Sequence, residues 1–147
     1  MKKFNVLALV LASLVVVATS GVAYAGPEVT ITVKNNSEFA ANYDAVSSSA
    51  YTYGQANPKP PVQIAPGSSD FFKVKGAVSP DLTAAIFQYK IGNKICKFKT
   101  SYFKTPGRNG TPKWSKSAEE VGGARCDVRV TAVNYSNHNW AVEFTMR

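Results

Sequence analysis

Histidine and acidic residues are scarce in this chain. It has one histidine, His138, and nine Asp or Glu against 17 Lys or Arg, which gives a formal net charge of +8. A Ser-His-Asp triad needs a base that a carboxylate orients beside a nucleophile. No motif marks such partners for His138, which we expect in a surface turn. One histidine and two cysteines are also too few soft ligands for a zinc site. We therefore expect neither an enzyme nor a metal or cofactor site.

The only long apolar run lies at the N-terminus. Two lysines precede the apolar residues 6–18, and residues 23–25 (Ala-Tyr-Ala) fit the A-x-A cleavage rule. The run is interrupted once and is shorter than the roughly 20 residues of a membrane span. We predict a signal peptide at 1–25 and one domain at 26–147. The expected location is secreted or periplasmic.

Cysteine is rare, and both cysteines fall after the predicted cleavage site. Cys96 and Cys126 would meet an oxidising compartment, where pairing is the default. A bridge between them would close a loop of about 30 residues, which the chain-entropy model values at roughly 3–4 kcal/mol. We predict a Cys96–Cys126 disulfide.

Alternation of apolar and polar residues dominates the rest of the chain, and no long helical period is present. It predicts strands at 29–33, 62–64, 71–75, 126–132 and 140–146. Residues 38–56 carry a poor signal. Residues 105–124 are rich in Pro, Gly and Asn and are predicted as a loop, with at most one helical turn at 117–121. The pattern favours an all-β domain, a single antiparallel β-sandwich or a small closed barrel.

The strongest local signal is a hairpin around Gly92-Asn93, a dipeptide typical of a two-residue turn. A two-residue turn places Ile91 opposite Lys94, Tyr89 opposite Cys96, and Phe87 opposite Phe98. These pairs would share one side of the sheet, most of them toward the core.

Acidic residues are absent between Asp81 and Glu119, an interval called here the basic segment. It contains eight basic residues: Lys90, Lys94, Lys97, Lys99, Lys104, Arg108, Lys113 and Lys116. Aromatic residues alternate with them, and a surface of this kind attracts anionic partners. The ordinary alternative is that lysines on an edge strand prevent aggregation between sheets. The predicted binding residues are Lys97, Lys99, Tyr102, Lys104, Arg108, Lys113, Trp114 and Lys116.

An anionic lipid surface or an acidic protein would fit this segment. For lipid, the lysines would meet the headgroups while Trp114 and Tyr102 insert. No nucleic-acid recognition motif is present, so no nucleic-acid partner is expected. The sequence does not indicate an oligomeric state.

Three phrases of the chain resemble those of small β-sandwich cytolysins. They are VTITVKNNS at 29–37, IAPGSS at 64–69 with a Phe-Phe pair at 71–72, and WAVEF at 140–144. The layout looks like that of the aegerolysins and actinoporin-like proteins. This resemblance implies a lipid-recognising sandwich that binds membranes, in some cases as one member of a pore-forming pair.

Two other functions compete with membrane binding. A periplasmic immunity or inhibitor protein would use the same basic face on an acidic partner protein. A glycan-acting enzyme would need two carboxylates across a cleft, for which Glu119 and Glu120 are the only adjacent pair.

Overall fold

Two β-sheets face each other across a shared core. The structure is a computed structural model, and it describes residues 25–147. The predicted signal peptide therefore lies outside the described residues, except for Ala25. The all-β sandwich with one disulfide is confirmed.

One sheet has four strands in the order β4-β1-β9-β8. The strands are β1 (Glu28–Asn35), β4 (Ser69–Lys75), β8 (Cys126–Val133) and β9 (Trp140–Met146). β1 and β9 pair in parallel, from Val29 opposite Trp140 to Asn35 opposite Met146. The other pairs are antiparallel.

The other sheet has five antiparallel strands in the order β3-β2-β5-β6-β7. The strands are β2 (Ala41–Tyr43), β3 (Gln63–Ile64), β5 (Leu82–Ile91), β6 (Lys94–Lys104) and β7 (Pro112–Val121). A 3-10 helix (Ser47–Ser49) and the short helix α1 (Ala50–Gln55) connect β2 to β3.

The predicted hairpin is confirmed with its register. Ile91 lies opposite Lys94, Tyr89 opposite Cys96, and Phe87 opposite Phe98. Gly92 begins the turn with a φ of 58°, a backbone conformation that glycine adopts without steric cost. The turn therefore fixes the register of β5 and β6, which pair over ten residues.

The prediction of a loop at residues 105–124 is wrong for residues 112–121. Residues 105–111 and 122–124 are irregular, whereas β7 pairs along β6 from Pro112 opposite Lys104 to Val121 opposite Ile95. β7 is an edge strand with no fully buried residue, so backbone hydrogen bonds to β6 define it rather than an apolar face. Pro112 is tolerated because the first residue of a strand need not donate to the ladder.

Aromatic rings fill the centre of the core. The Phe87 ring lies 5.1 Å from that of Phe72 and 5.3 Å from that of Phe144, both edge to face. These rings come from β5, β4 and β9, so they join the two sheets. Such pairs contribute about 0.5–1.5 kcal/mol each beyond the area they bury.

The predicted disulfide is confirmed. Cys96 on β6 and Cys126 on β8 are bonded, with their Cα atoms 5.7 Å apart, so the bridge links the two sheets covalently. A stable disulfide is typical of compartments outside the reducing cytosol. Neither helix between residues 25 and 147 has the length and hydropathy that crossing a membrane requires.

Candidate functional site

The five-stranded sheet has one face that points away from the core, called here the outer face. Side chains alternate along a strand, and Cys96 and Phe98 point inward with no exposed surface. Lys97 and Lys99 therefore point outward. The outer face of β6 and β7 consists of Ile95, Lys97, Lys99, Ser101, Phe103, Lys113, Ser115, Ser117, Glu119 and Val121.

Two lysines of the outer face are paired with acids. Lys97 Nζ lies 2.9 Å from Glu119 Oε1, and Lys90 Nζ lies 2.9 Å from Asp44 Oδ1. The hydrogen bond from Lys97 lowers the pKa of Glu119. Hydrogen bonds from Lys90 and then from Gln88 lower the pKa of Asp44. Both acids are thus ionised near neutral pH, and each neutralises one lysine of the basic segment.

Lys99 is exposed and has no acidic partner within 4 Å among residues 25–147. Two shallow grooves, of about 480 and 390 Å³, meet at Lys99 and Ile86. The smaller groove presents hydroxyl groups, with Ser101 Oγ and Ser115 Oγ only 2.6 Å apart. A cation beside hydroxyl groups is suited to binding the oxygens of an anion.

Exposed apolar side chains lie on the same outer face, four residues from Lys99 along β6. Leu82 on β5 pairs with Phe103 on β6, and they are 40% and 45% exposed. Lys113 on β7 lies opposite Phe103 on the other side. This end of the outer face therefore combines an exposed aromatic ring with positive charge.

The structure corrects the predicted insertion of Tyr102, and it leaves Trp114 only partly at the surface. Tyr102 has no exposed surface, and its hydroxyl lies 2.9 Å from His138 Nδ1. Burial raises the pKa of Tyr102, and the charge of Asp81 raises it further. Trp114 is half-buried and donates from Nε1 to the His138 carbonyl at 3.2 Å. The alternation of β6 would have predicted that Tyr102 is buried. Tyr102 shares a face with the buried Cys96, whereas Phe103 lies on the opposite face.

His138 is less exposed than predicted. It is half-buried in the β8–β9 turn with a φ of 63°. Its ring stacks on Tyr102 at a centroid distance of 5.2 Å. His138 thus connects the turn of one sheet to β6 and β7 of the other.

The structure does not bring the predicted basic residues together on one surface. Lys97, Lys99 and Lys113 share the outer face. Lys104 and Lys116 alternate to the other side of the sheet, and Arg108 lies in the connection before β7. The expectation of a single eight-residue binding surface is therefore corrected to a smaller set that includes Phe103 and Leu82.

The two adjacent glutamates also point in opposite directions. Glu119 lies on the outer face, whereas Glu120 accepts a hydrogen bond from the Cys126 backbone N–H at 3.0 Å. They do not face each other across a cleft. Neither a protein-family model nor a curated protein matches this chain.

Proposed function

We propose that this protein is a secreted or periplasmic, non-enzymatic binding protein whose outer face lies on an anionic membrane surface. The observation that carries the proposal is the exposed Phe103–Leu82 pair. Lys113 lies opposite Phe103, and Lys99, which has no acidic partner among the described residues, lies four residues from Phe103 on the same face of β6. The predicted signal peptide and the disulfide support the proposed location, and the resemblance to lipid-binding sandwiches supports the proposed function.

The chemistry of this end of the sheet suits lipid in two ways. Apolar side chains of a surface-bound protein enter the boundary between headgroups and acyl chains. Lysines near an anionic leaflet contribute about 1 kcal/mol each. The rival function is that of an immunity or inhibitor protein with an acidic protein partner. Such a partner would bind the lysines, but its binding would not require the exposed Phe103 ring to enter an apolar layer.

The first test removes charge from the outer face. The Lys99→Gln, Lys113→Gln double variant is expected to bind anionic vesicles roughly 30-fold more weakly, because two charges contribute about 2 kcal/mol. Co-sedimentation with phosphatidylglycerol–phosphatidylcholine vesicles at low salt measures the binding constant. Glu119→Gln should act in the opposite direction, with about fivefold tighter binding, because it frees Lys97.

The control for this test has the same net charge. Lys75→Gln, Arg125→Gln removes two exposed positive charges that lie outside the outer face, and it should leave vesicle binding nearly unchanged. Equal weakening by both double variants would show that binding depends on net charge alone and not on the outer face. Absence of wild-type binding to anionic vesicles at low salt would eliminate the lipid proposal.

A second test separates a lipid surface from an acidic protein. Phe103→Ser is expected to weaken vesicle binding about fivefold, since inserting the exposed half of the ring contributes about 1 kcal/mol. This loss should persist at high salt, where charge effects are screened. Phe71→Ser is the matched control, because Phe71 is 49% exposed on the four-stranded sheet. An effect of Phe71→Ser equal to that of Phe103→Ser would contradict insertion through the outer face.

A further inference from the structure

We propose a second ligand site, a cavity at the disulfide end of the sandwich that binds a small carboxylate with a short acyl chain. The cavity has a volume of about 370 Å³. It lies where the β1–β2 connection, the β5–β6 turn and the residue after β9 meet. Its main lining residues are Phe39, Ala40, Ile91, Gly92, Lys94 and Arg147.

A buried asparagine holds one wall of this cavity in place. Asn35 has no exposed surface, and its Nδ2 donates to the carbonyls of Phe39 at 2.7 Å and Ile64 at 3.0 Å. Its Oδ1 accepts hydrogen bonds from the Ser37 hydroxyl and backbone N–H. The backbone carrying Phe39 is therefore fixed, although the Phe39 side chain is 68% exposed. An exposed aromatic ring on a fixed backbone suits a binding wall, because little ordering is required when a ligand binds.

The rim of the cavity carries positive charge. Lys94 is exposed and has no acidic partner within 4 Å among the described residues. Arg147 pairs with Asp127 through one nitrogen, and a guanidinium has five N–H donors. One uncompensated charge beside an apolar wall matches a ligand with one negative group and an apolar body.

The size of the cavity restricts the ligand further. A volume of about 370 Å³ lies near the lower end of the roughly 300–1,000 Å³ of small-molecule sites. A phospholipid with two long chains is too large, whereas a single short chain fits. Lys94 and Phe103 lie at opposite ends of β6, nine residues and roughly 30 Å apart. This site is therefore separate from the proposed membrane contact and does not depend on it.

Titration of the isotope-labelled protein with octanoate, followed by amide NMR shifts, tests the proposal. We expect saturable shifts at Phe39, Ala40, Ile91 and Gly92, with weaker binding of the uncharged octanol. Lys94→Gln should weaken octanoate binding about fivefold and leave octanol binding unchanged. Lys75→Gln, on the other sheet, should change neither.

Two results would overturn this site. One is the absence of saturable shifts at the lining amides of the wild-type protein. The other is a Lys94→Gln variant that binds octanoate as tightly as the wild type, which would remove the role of charge. Both variants replace exposed side chains, and unchanged amide spectra away from the mutation show that the fold is retained.

Discussion

Replacing both cysteines with alanine is expected to lower the free energy of unfolding by about 3–4 kcal/mol. The bridge spans a sequence separation of 30 residues, so its loss restores conformational freedom to a long loop of the unfolded chain. It also removes the one covalent link between β6 and β8, which belong to different sheets. Urea unfolding followed by tryptophan fluorescence measures the change.

Reduced wild-type protein is the control for the cysteine variant. Reduction opens the link but keeps both sulfur atoms in place, where Cys96 has no exposed surface. Equal destabilisation by reduction and by substitution would assign the effect to the cross-link. If reduction costs less than about 1 kcal/mol, the loop-closure explanation is wrong and the alanine effect comes from lost packing.

Asn35→Ala is expected to destabilise the domain by about 3 kcal/mol, because a fully buried side chain loses all its hydrogen bonds at once. The two N–H groups of Asn35 Nδ2 lie within hydrogen-bond distance of three backbone carbonyls, those of Phe39, Ile64 and Ala65, and Oδ1 accepts from Ser37. Each such hydrogen bond contributes about 0.5–1.5 kcal/mol to stability. Thermal and urea unfolding of the variant measure the loss, and the NMR titration reports whether the cavity wall is lost with it.

The neighbouring residue provides the control for this variant. Asn36 is exposed, and its side chain makes no hydrogen bond among residues 25–147, so Asn36→Ala should change stability by less than about 0.5 kcal/mol. Asn35→Asp keeps the shape but removes the donors, and it should be at least as harmful as alanine near neutral pH. A stable Asn35→Asp variant would refute the role assigned to the hydrogen bonds that Asn35 Nδ2 donates.

The sequence predicted the hairpin and the disulfide because both depend on local rules. Gly92 determines the turn, and strict alternation then places Tyr89 opposite Cys96 without information from elsewhere in the chain. The same alternation predicts that Phe103, rather than Tyr102, faces outward. Tyr102 was chosen as a binding residue because it is aromatic, without checking which face of the strand the two-residue alternation gives it.

Other features depend on distant partners and were not predictable. β7 carries only half-buried and exposed residues. Its sequence therefore lacks the apolar alternation from which a strand can be predicted. Likewise, the sequence shows no acid near Lys90, yet Asp44 reaches it across 46 residues. Which lysines remain uncompensated is decided by such tertiary pairings rather than by charge along the chain.

The parallel pairing of β1 with β9 constrains the order in which the domain assembles. β1 is the first strand of the described chain and β9 is the last, and they are adjacent in the middle of their sheet. Until residues 140–146 are free to pair, β1 lacks this neighbour and the core lacks Phe144. Contacts so far apart in sequence also form slowly. The four-stranded sheet should therefore close only after residues 140–146 are available to pair with β1.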